Sequence, residues 1–477
     1  MLFRSRDEAI LAGRDRGEDR FVAHGAVSRT LQEVLPLCDL IVGTEEEIHI
    51  LGASTVTLEA LRAIRAKSGA LLVCKRGAEG CIAYPGAIPA TLASASANEA
   101  IGHEGFAVEV FNVLGAGDAF MAGFLRGWLT GEPLEKCCAW ANACGAIVVS
   151  RHGCAPAMPT WTELQRFLAT PKPLYRLRDD TELEHLHWAT TRARRYDELT
   201  VLAIDHRSQF EDLAHEFAAT DEQISSFKSL ALRAVDAAAS GDVRFGILLD
   251  GRYGFDALAQ AAERPYWLGR PIEIPRSRPL RFVGSADVAT ELSEWPINQV
   301  VKCLVHYHPD EPSDLRERQE RQLQRLFDAC RKTRHELLIE VILPADPPSS
   351  HTTVARAIRR LNSIGIRPDW WKLEPAADSA AWHHIESAIQ EGDPHCRGVV
   401  MLGLSAPEAE LIRSFEAAAA FDIVKGFAVG RTIFFDTARE WLAKRISDDE
   451  AVVDLASKLT RLVEAWRRVR GQAKAVA

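Results

Sequence analysis

One pattern limits what this chain can fold into more than any other. From Leu199 onward short apolar runs alternate with helical patterns, and 199–206, 244–250, 267–274, 299–307, 336–343, 369–374, 398–404 and 422–429 read as eight strands. Eight strand–helix units over about 270 residues predict a complete (β/α)8 barrel, whose active site lies at the C-terminal ends of the strands. The third unit is the least regular, because Pro265, Pro271 and Pro275 crowd it.

Before the barrel the alternation is looser. Segments 37–43 and 70–74 read as buried strands, 57–67 and 133–149 as helices, which suggests a parallel α/β sheet. Pro171-Lys172-Pro173 marks a break, so the expected organisation is an α/β domain over 1–172, a charged helical connector over 173–198 and the barrel over 199–477.

Composition narrows the partners. The net charge of -9 argues against a nucleic-acid partner, while a local cationic pocket in an acidic protein can still take a small anion. Residues 1–20 are too charged for a secretory signal, and the most apolar window, 137–149, is too short to span a bilayer. These features predict a cytoplasmic protein without a membrane partner. The ten cysteines form no CxxC pair and no zinc-like spacing, so they are expected as reduced core residues. His185, His187, His383 and His384 are expected on exposed helix faces.

Asn112-Val-Leu-Gly115-Ala116-Gly117-Asp118 is the sharpest motif in the first part. It precedes an apolar helical stretch. Its glycines let backbone N–H groups converge on an anion at the helix N-terminus, where the dipole favours negative charge. Asp118 then stands where it can accept a hydroxyl proton during phosphoryl transfer. A plain helix-capping turn is the alternative.

This stretch resembles the D-T-x-G-A-G-D signature of the ribokinase/PfkB carbohydrate kinases, with its first three positions replaced. Gly43-Thr44-Glu-Glu-Glu47 resembles the family's N-x-x-E element, which implies that Glu47 organises magnesium. Lys75-Arg-Gly77-Ala-Glu-Gly80 resembles the nucleotide-side turn, and Asn142 falls near the implied adenosine pocket. The combination is similar to bacterial 5-dehydro-2-deoxygluconokinases of inositol catabolism, implying ATP and magnesium as cofactors. In that family the aspartate lies well past the middle of the domain, whereas here it is residue 118. The resemblance therefore implies a partial ribokinase-like three-layer domain without the sugar-binding half, a kinase remnant or the end of a bifunctional protein. A non-enzymatic assembly module is a further alternative.

In the barrel, side-chain alternation sorts each strand into two faces. Val301, Cys303, Val305 and Tyr307 form one face of 299–308, and Lys302, Leu304, His306 and His308 the other. Glu340 opposes Leu337, Ile339 and Val341. Lys372, Trp370 and Glu374 oppose Trp371 and Leu373. The apolar faces are expected against the outer helices, which sends Lys302, Glu340 and Lys372 inward. Charges placed there either satisfy one another as an ion-pair network or form a Schiff-base site. In the second case a lysine crowded by another ammonium loses its proton and becomes a nucleophile, while a carboxylate moves a proton. A metal site on His306, His308 and Glu340 is the remaining alternative.

Val-Lys302-Cys-Leu-Val-His-Tyr-His, Ile-Glu340-Val-Ile-Leu-Pro and Trp-Lys372-Leu-Glu-Pro resemble, in order and spacing, class I tagatose-bisphosphate aldolases. That resemblance implies Lys372 as the Schiff-base lysine, Lys302 as its assistant and Glu340 as the proton-transfer carboxylate, with no cofactor. Ala-Ile-Asp205-His-Arg207 resembles the first-strand element, and Leu-Asp250-Gly-Arg252-Tyr-Gly the end of the second. Residues 199–470 are similar to the aldolase-like domain fused to bacterial 5-dehydro-2-deoxygluconokinases. The implied function is a lyase that cleaves a phosphorylated keto sugar acid, 5-dehydro-2-deoxygluconate 6-phosphate, to dihydroxyacetone phosphate and malonate semialdehyde. A homo-oligomer is expected. Ser405, Gly430 and Arg431, at the ends of the last two strands, are the expected phosphate grip. Arg207, Arg252, His306 and His308 are candidate partners of the substrate carboxylate.

Overall fold

The computed structural model describes residues 25–477 except Ala97, Ser285, Ala286, Ala377, Leu404 and Ala477. The 1–20 stretch discussed above, and Leu404 of the expected phosphate loop, lie outside the described residues. The chain divides into two compact units between Thr191 and Arg192. Segment 173–198 is therefore not an independent connector. Leu177, and Leu183 of the helix Thr181–Thr191, join Trp140, Leu164 and Phe167 in the first unit's core. Arg192 already belongs to the barrel, where it pairs with Asp369 at 2.7 Å. The charge of this segment obscured the leucines that anchor it.

The first unit holds four strands in the order β1 (Leu40–Thr44), β2 (Leu71–Lys75), β3 (Cys81–Tyr84) and β4 (Ile101–His103). β1 and β2 are parallel as expected, but β3 and β4 add antiparallel. The turn between β2 and β3 is far too short for the crossover that parallel pairing requires. Leu35–Leu37 forms a 3-10 turn containing Pro36, which delays the first strand to Leu40. Ile41, Leu72 and Tyr84 pack on one face with Ile48, Leu61 and Ile64. Val42, Val73 and Ala83 pack on the other with Phe120, Phe124, Cys138 and Ala141. Helices thus cover both faces, giving three layers.

The second unit is a closed barrel of eight parallel strands: β5 (Leu199–Ala203), β6 (Phe245–Leu248), β7 (Trp267–Pro271), β8 (Gln299–His306), β9 (Leu337–Ile342), β10 (Trp370–Leu373), β11 (Gly398–Leu402) and β12 (Val424–Val429). Every strand falls inside, or within one residue of, its expected segment. The alternation holds as well. Val301, Cys303, Val305, Leu337, Ile339 and Val341 pack in the shell of helices, whereas Val201, Leu338, Trp370, Val400 and Ala428 fill the interior.

The barrel has two charged ends with different settings. At the N-terminal ends of the strands, Asp369 meets Arg192 and Arg331 at 2.7 and 3.0 Å, and Glu336 meets Arg397 at 2.7 Å. Asp369 also accepts the Leu337 N–H at 2.9 Å. This network ties strands together beneath a plug made by Trp267 and Trp370, both buried. The C-terminal end carries a different set of charges and is open.

Candidate active site

A cavity of about 360 Å³ opens at the C-terminal ends of the strands. Its base follows from register. Lys372 on β10 is the Cα partner of Glu340 on β9, and Pro271 on β7 is that of Lys302 on β8. Inward-facing residues at equal height meet, as Glu340 and Lys372 do, and Lys302, which stands two residues before Leu304, the β8 partner of Glu340, reaches Glu340 across that step. Glu340 lies between the two lysines, with Oε2 at 2.9 Å from Lys302 Nζ and Oε1 at 3.1 Å from Lys372 Nζ. Lys302 also reaches Asp205, just past β5, and Glu273, past β7, each at 3.1 Å. All of these side chains are nearly sealed, at 4% exposure for Lys302 and 6% for Lys372.

The electrostatics separate the two lysines. Burial disfavours charge on Lys302, but Asp205, Glu273 and Glu340 outweigh it and hold its pKa well above the ordinary range. Lys302 is thus a fixed cation and not a free amine. Among the described residues Lys372 has one carboxylate partner, Glu340. The expected crowding of one ammonium by another is replaced by an alternation of lysine and carboxylate. Burial raises Asp205 and Glu340, yet Lys302 and Lys372 overcome it and bring both carboxyl groups below their usual range.

Among the pocket residues absent from the sequence-based set, two stand beside the charge series. Glu273 accepts from Lys302, from Leu304 N–H at 3.2 Å and from Arg207 at 3.2 Å. It lies past the end of β7, in an isolated bridge to Phe282; the expected segment 267–274 contained it, but the prolines that crowd that segment left its two faces unsorted. A lone acid in the apolar run Ile272-Glu273-Ile274 was the available signal. His206 lines the same cavity. Burial, with Lys372 and Arg431 nearby, pushes its pKa down to about 3 against the pull of Asp205.

Ser405, Gly430 and Arg431 line one wall together with Gly403 and Thr432. A Cβ at Gly430 would overlap the Ala203 carbonyl oxygen, so only glycine fits there. Gly430 also starts the helix Arg431–Leu442, whose N-terminal N–H groups suit an anion. Thr432 Oγ1 donates to Ala406 O at 2.9 Å and links the two loops.

Of the proposed carboxylate partners, Arg207 and His306 line the cavity and the other two do not. Arg252 points outward to Glu211 at 2.8 Å. His308 is buried, and its Nδ1 accepts from Asp310 N–H at 3.1 Å. His306 and His308 therefore do not converge with Glu340 as ligands, because the strand ends at His306 and the alternation ends with it. Glu374 likewise leaves the cavity and accepts from Leu343 N–H. Asp250 is bonded to the buried Lys228.

In the first unit the kinase-like residues converge at the C-terminal ends of β1 and β2. Glu47 closes a capping box with Thr44, whose N–H reaches Oε2 at 2.7 Å, and Lys75 Nζ approaches the same oxygen at 3.7 Å. Gly115 has φ 85° and caps the helix Ala116–Leu129, which starts at Ala116. A Cβ at Gly117 would meet only Lys75 Nζ, at 3.6 Å, so the space before the helix is open. Asp118 is exposed in the first turn. Gly77 and Gly80 both have positive φ around the β2–β3 turn. Asn142 Nδ2 donates to His103 O at 2.9 Å and so holds the end of β4. His185, expected on the surface, is buried, and His187 bonds Glu163 at 3.0 Å. His383 and His384 are exposed.

The 5-dehydro-2-deoxygluconokinase of Geobacillus thermodenitrificans is 30% identical over 138 residues, which is 28% of this chain and 37% of that protein. The enzyme of the same description from Listeria innocua is 30% identical over 136 residues, 28% of this chain and 38% of the relative. This chain thus spans less than two-fifths of the length of these curated relatives. A fructose-bisphosphate aldolase from Plasmodium falciparum, crystallised with TRAP and a small-molecule inhibitor, aligns at 16% identity and a TM-score of 0.46, over 61% of this chain and 95% of that one. Among the described residues no helix is long and apolar enough to cross a membrane. Residues 17–161 match the pfkB family of carbohydrate kinases. Residues 163–470 match the family described as uncharacterized protein conserved in bacteria (DUF2090), and with more than half of its length covered this chain belongs to that family.

Proposed function

We propose that the barrel is a class I aldolase, a carbon–carbon lyase acting on a phosphorylated keto sugar acid. The observation that carries this reading is the buried series Lys302–Glu340–Lys372 at the catalytic end of the barrel. The substrate that fits the sequence resemblance is 5-dehydro-2-deoxygluconate 6-phosphate. Lys372 gives up its proton to Glu340 and attacks the ketone carbon, and Glu340 returns that proton to the carbinolamine hydroxyl, which departs as water and leaves an iminium. The iminium draws electrons from the bond between the adjacent carbon and the hydroxyl-bearing carbon beyond it. Glu340, relieved of its first proton, takes the hydroxyl proton as that bond breaks. Malonate semialdehyde departs, and an enamine of dihydroxyacetone phosphate stays on Lys372. Protonation of the enamine carbon and hydrolysis of the resulting iminium release the second product and restore the amine. Lys302 acts as a fixed cation that keeps Asp205 ionised and favours the carboxylate form of Glu340 in the resting site. The phosphate rests between Ser405, Gly430 and Arg431.

Borohydride added with dihydroxyacetone phosphate is expected to fix a covalent adduct to Lys372, seen by peptide mass spectrometry. Lys372→Ala is expected to lose both the adduct and cleavage activity. A variant without Lys372 that still cleaves at the parent rate defeats the proposal, and activity abolished by a chelator points to metal chemistry instead.

A second reading rests on the open space before Gly117. We propose that the first unit holds ATP phosphates against the N-terminus of Ala116–Leu129 and Lys75, with magnesium and its waters near Glu47. The Glu47 Oε1 atom makes no hydrogen bond among the described residues, which leaves an acceptor for such waters. Bound magnesium would screen the phosphate charge, and Asp118 would accept a hydroxyl proton. Calorimetric titration with MgATP is the test. Tight binding that Lys75→Ala weakens at least tenfold supports it, and heat-silent titration at millimolar nucleotide rejects it.

A further inference from the structure

The cavity has two polar walls, and strand order places them opposite each other. In a closed ring of eight, β7 stands four strands from β11, and β8 stands four strands from β12. The loops after β11 and β12 carry Ser405, Gly430 and Arg431. The opposite wall is formed by 274–277, after β7, and by His306 at the end of β8. The charge series with Lys372 lies between the walls. A linear substrate held by phosphate on the first wall therefore presents its far end to the second.

That second wall is built to hold a cation at a fixed place. Arg276 has φ 59°, a left-handed conformation that non-glycine residues rarely adopt. The turn is tied by Ile274 N–H to Arg281 O at 2.8 Å and by Ser277 Oγ to Ile274 O at 2.8 Å. Arg281 N–H donates in turn to Ser277 Oγ at 3.0 Å. Strain retained in a well-tied turn at a cavity mouth is a recurrent property of binding sites. Arg276 is 70% exposed, and its ion-pair partner among the described residues is Asp212, at 3.7 Å. Arg207, in contrast, is 11% exposed and spent on Glu273. The guanidinium with capacity to spare is that of Arg276.

We propose that Arg276, with His306, forms the subsite for the carboxylate at the end of the substrate remote from its phosphate, while Ser277 holds the turn that carries the guanidinium. This inference rests on the aldolase reading and adds to it the wall that selects an acidic substrate. One guanidinium and one uncharged polar partner suit a single negative charge. His306 is such a partner, since burial and the nearby Arg278 push its pKa down and keep the ring neutral. A dianionic phosphate is better matched by the opposite wall, where Arg431 joins a helix N-terminus.

The test uses the full-length chain in the condensation direction, with dihydroxyacetone phosphate and two aldehydes of equal length. Malonate semialdehyde carries the carboxylate and propanal does not. The unaltered protein is expected to favour malonate semialdehyde in kcat/KM. Arg276→Asn removes the charge and tolerates the left-handed backbone. It is expected to reduce that preference about tenfold or more, since hydrogen bonds to charged groups are the strong ones. Arg276→Lys is expected to retain part of it. An unchanged preference in Arg276→Asn overturns the subsite. Borohydride trapping on the unaltered protein separates the two claims. If no adduct forms there, the Schiff-base reading has failed. If an adduct forms and the preference ignores Arg276, only the subsite has failed.

Discussion

His206 is a base held uncharged beside ionised neighbours, and that sets a pH limit on the barrel. Its folded pKa is pushed down to about 3 by burial and by Lys372 and Arg431. An unfolded histidine takes a proton near 6.5, so between about 6.5 and 3 the unfolded chain binds more protons and stability falls as pH falls. Burial likewise pushes down His306 and His335. Asp205 and Glu340 add a later limb. Their folded pKa values lie below the unfolded ones, so their contribution is complete above about pH 4.5 and drains below it. Lys302 acts at the other extreme. Its raised pKa gives stability that is intact below about 10.5 and is lost only in strong alkali. The melting temperature is therefore expected to decline from about pH 6.5 downward. His206→Asn is expected to flatten the early limb by up to about 1.4 kcal/mol per pH unit. Calorimetric melts of both proteins between pH 4 and 8 check this, and equal slopes refute it. The same residues show what a single sequence reveals about a site. Lys302, Glu340 and Lys372 were legible because period-two alternation sends all three into the barrel, on three neighbouring strands. Glu273 and Arg276 were not, because the third strand stops at Pro271, short of its expected end, and beyond a proline-crowded strand end periodicity carries no information.

At the level of elements, the eight barrel strands were readable because each is a short apolar run bounded by turns, buried on both faces. β3 and β4 of the first unit were missed because four and three residues are too few to establish a period and, unlike the four-residue β6 and β10, they are separated by 3-10 turns and not by helices. Helix pairing in that unit rests on glycine instead of on periodicity. The helices Ala116–Leu129 and Leu134–Val149 approach so closely that a Cβ at Gly123 would lie 2.6 Å from the Trp140 carbonyl oxygen. A Cβ at Gly127 would lie 2.7 Å from Cys137 Sγ. Backbone cannot retreat as a flexible side chain can, so Gly123→Val must push the two helices apart. The expected cost is about 1–3 kcal/mol or more. Hydrogen exchange is the suitable measurement, because it reports each element separately. Faster exchange across 116–149 with barrel strands unchanged is the expected outcome, and uniform protection in both proteins contradicts it.

For the whole molecule, the question is whether the proposed chemistry needs both units. Every residue placed around Lys372 lies in the second unit, from Asp205 to Thr432. That unit closes its own sheet, so it exposes no strand edge. The helix Asp448–Val476 buries Leu455, Leu459, Leu462, Val463 and Trp466 along the barrel. At about 1.5–3 kcal/mol for each large apolar side chain, that helix supplies on the order of 10 kcal/mol. This equals the whole stability of an ordinary domain. Two truncations should consequently behave in opposite ways. A chain starting at Arg192 is expected to fold and to cleave 5-dehydro-2-deoxygluconate 6-phosphate with kcat/KM within about threefold of the full protein, because it keeps every group that touches substrate. A chain ending before Asp448 also keeps all of those groups, but it is expected to lose cooperative unfolding and activity together. Circular dichroism melts and a coupled assay for dihydroxyacetone phosphate distinguish these outcomes. A soluble, cooperatively melting 192–477 protein without cleavage activity would show that the first unit takes part in the chemistry.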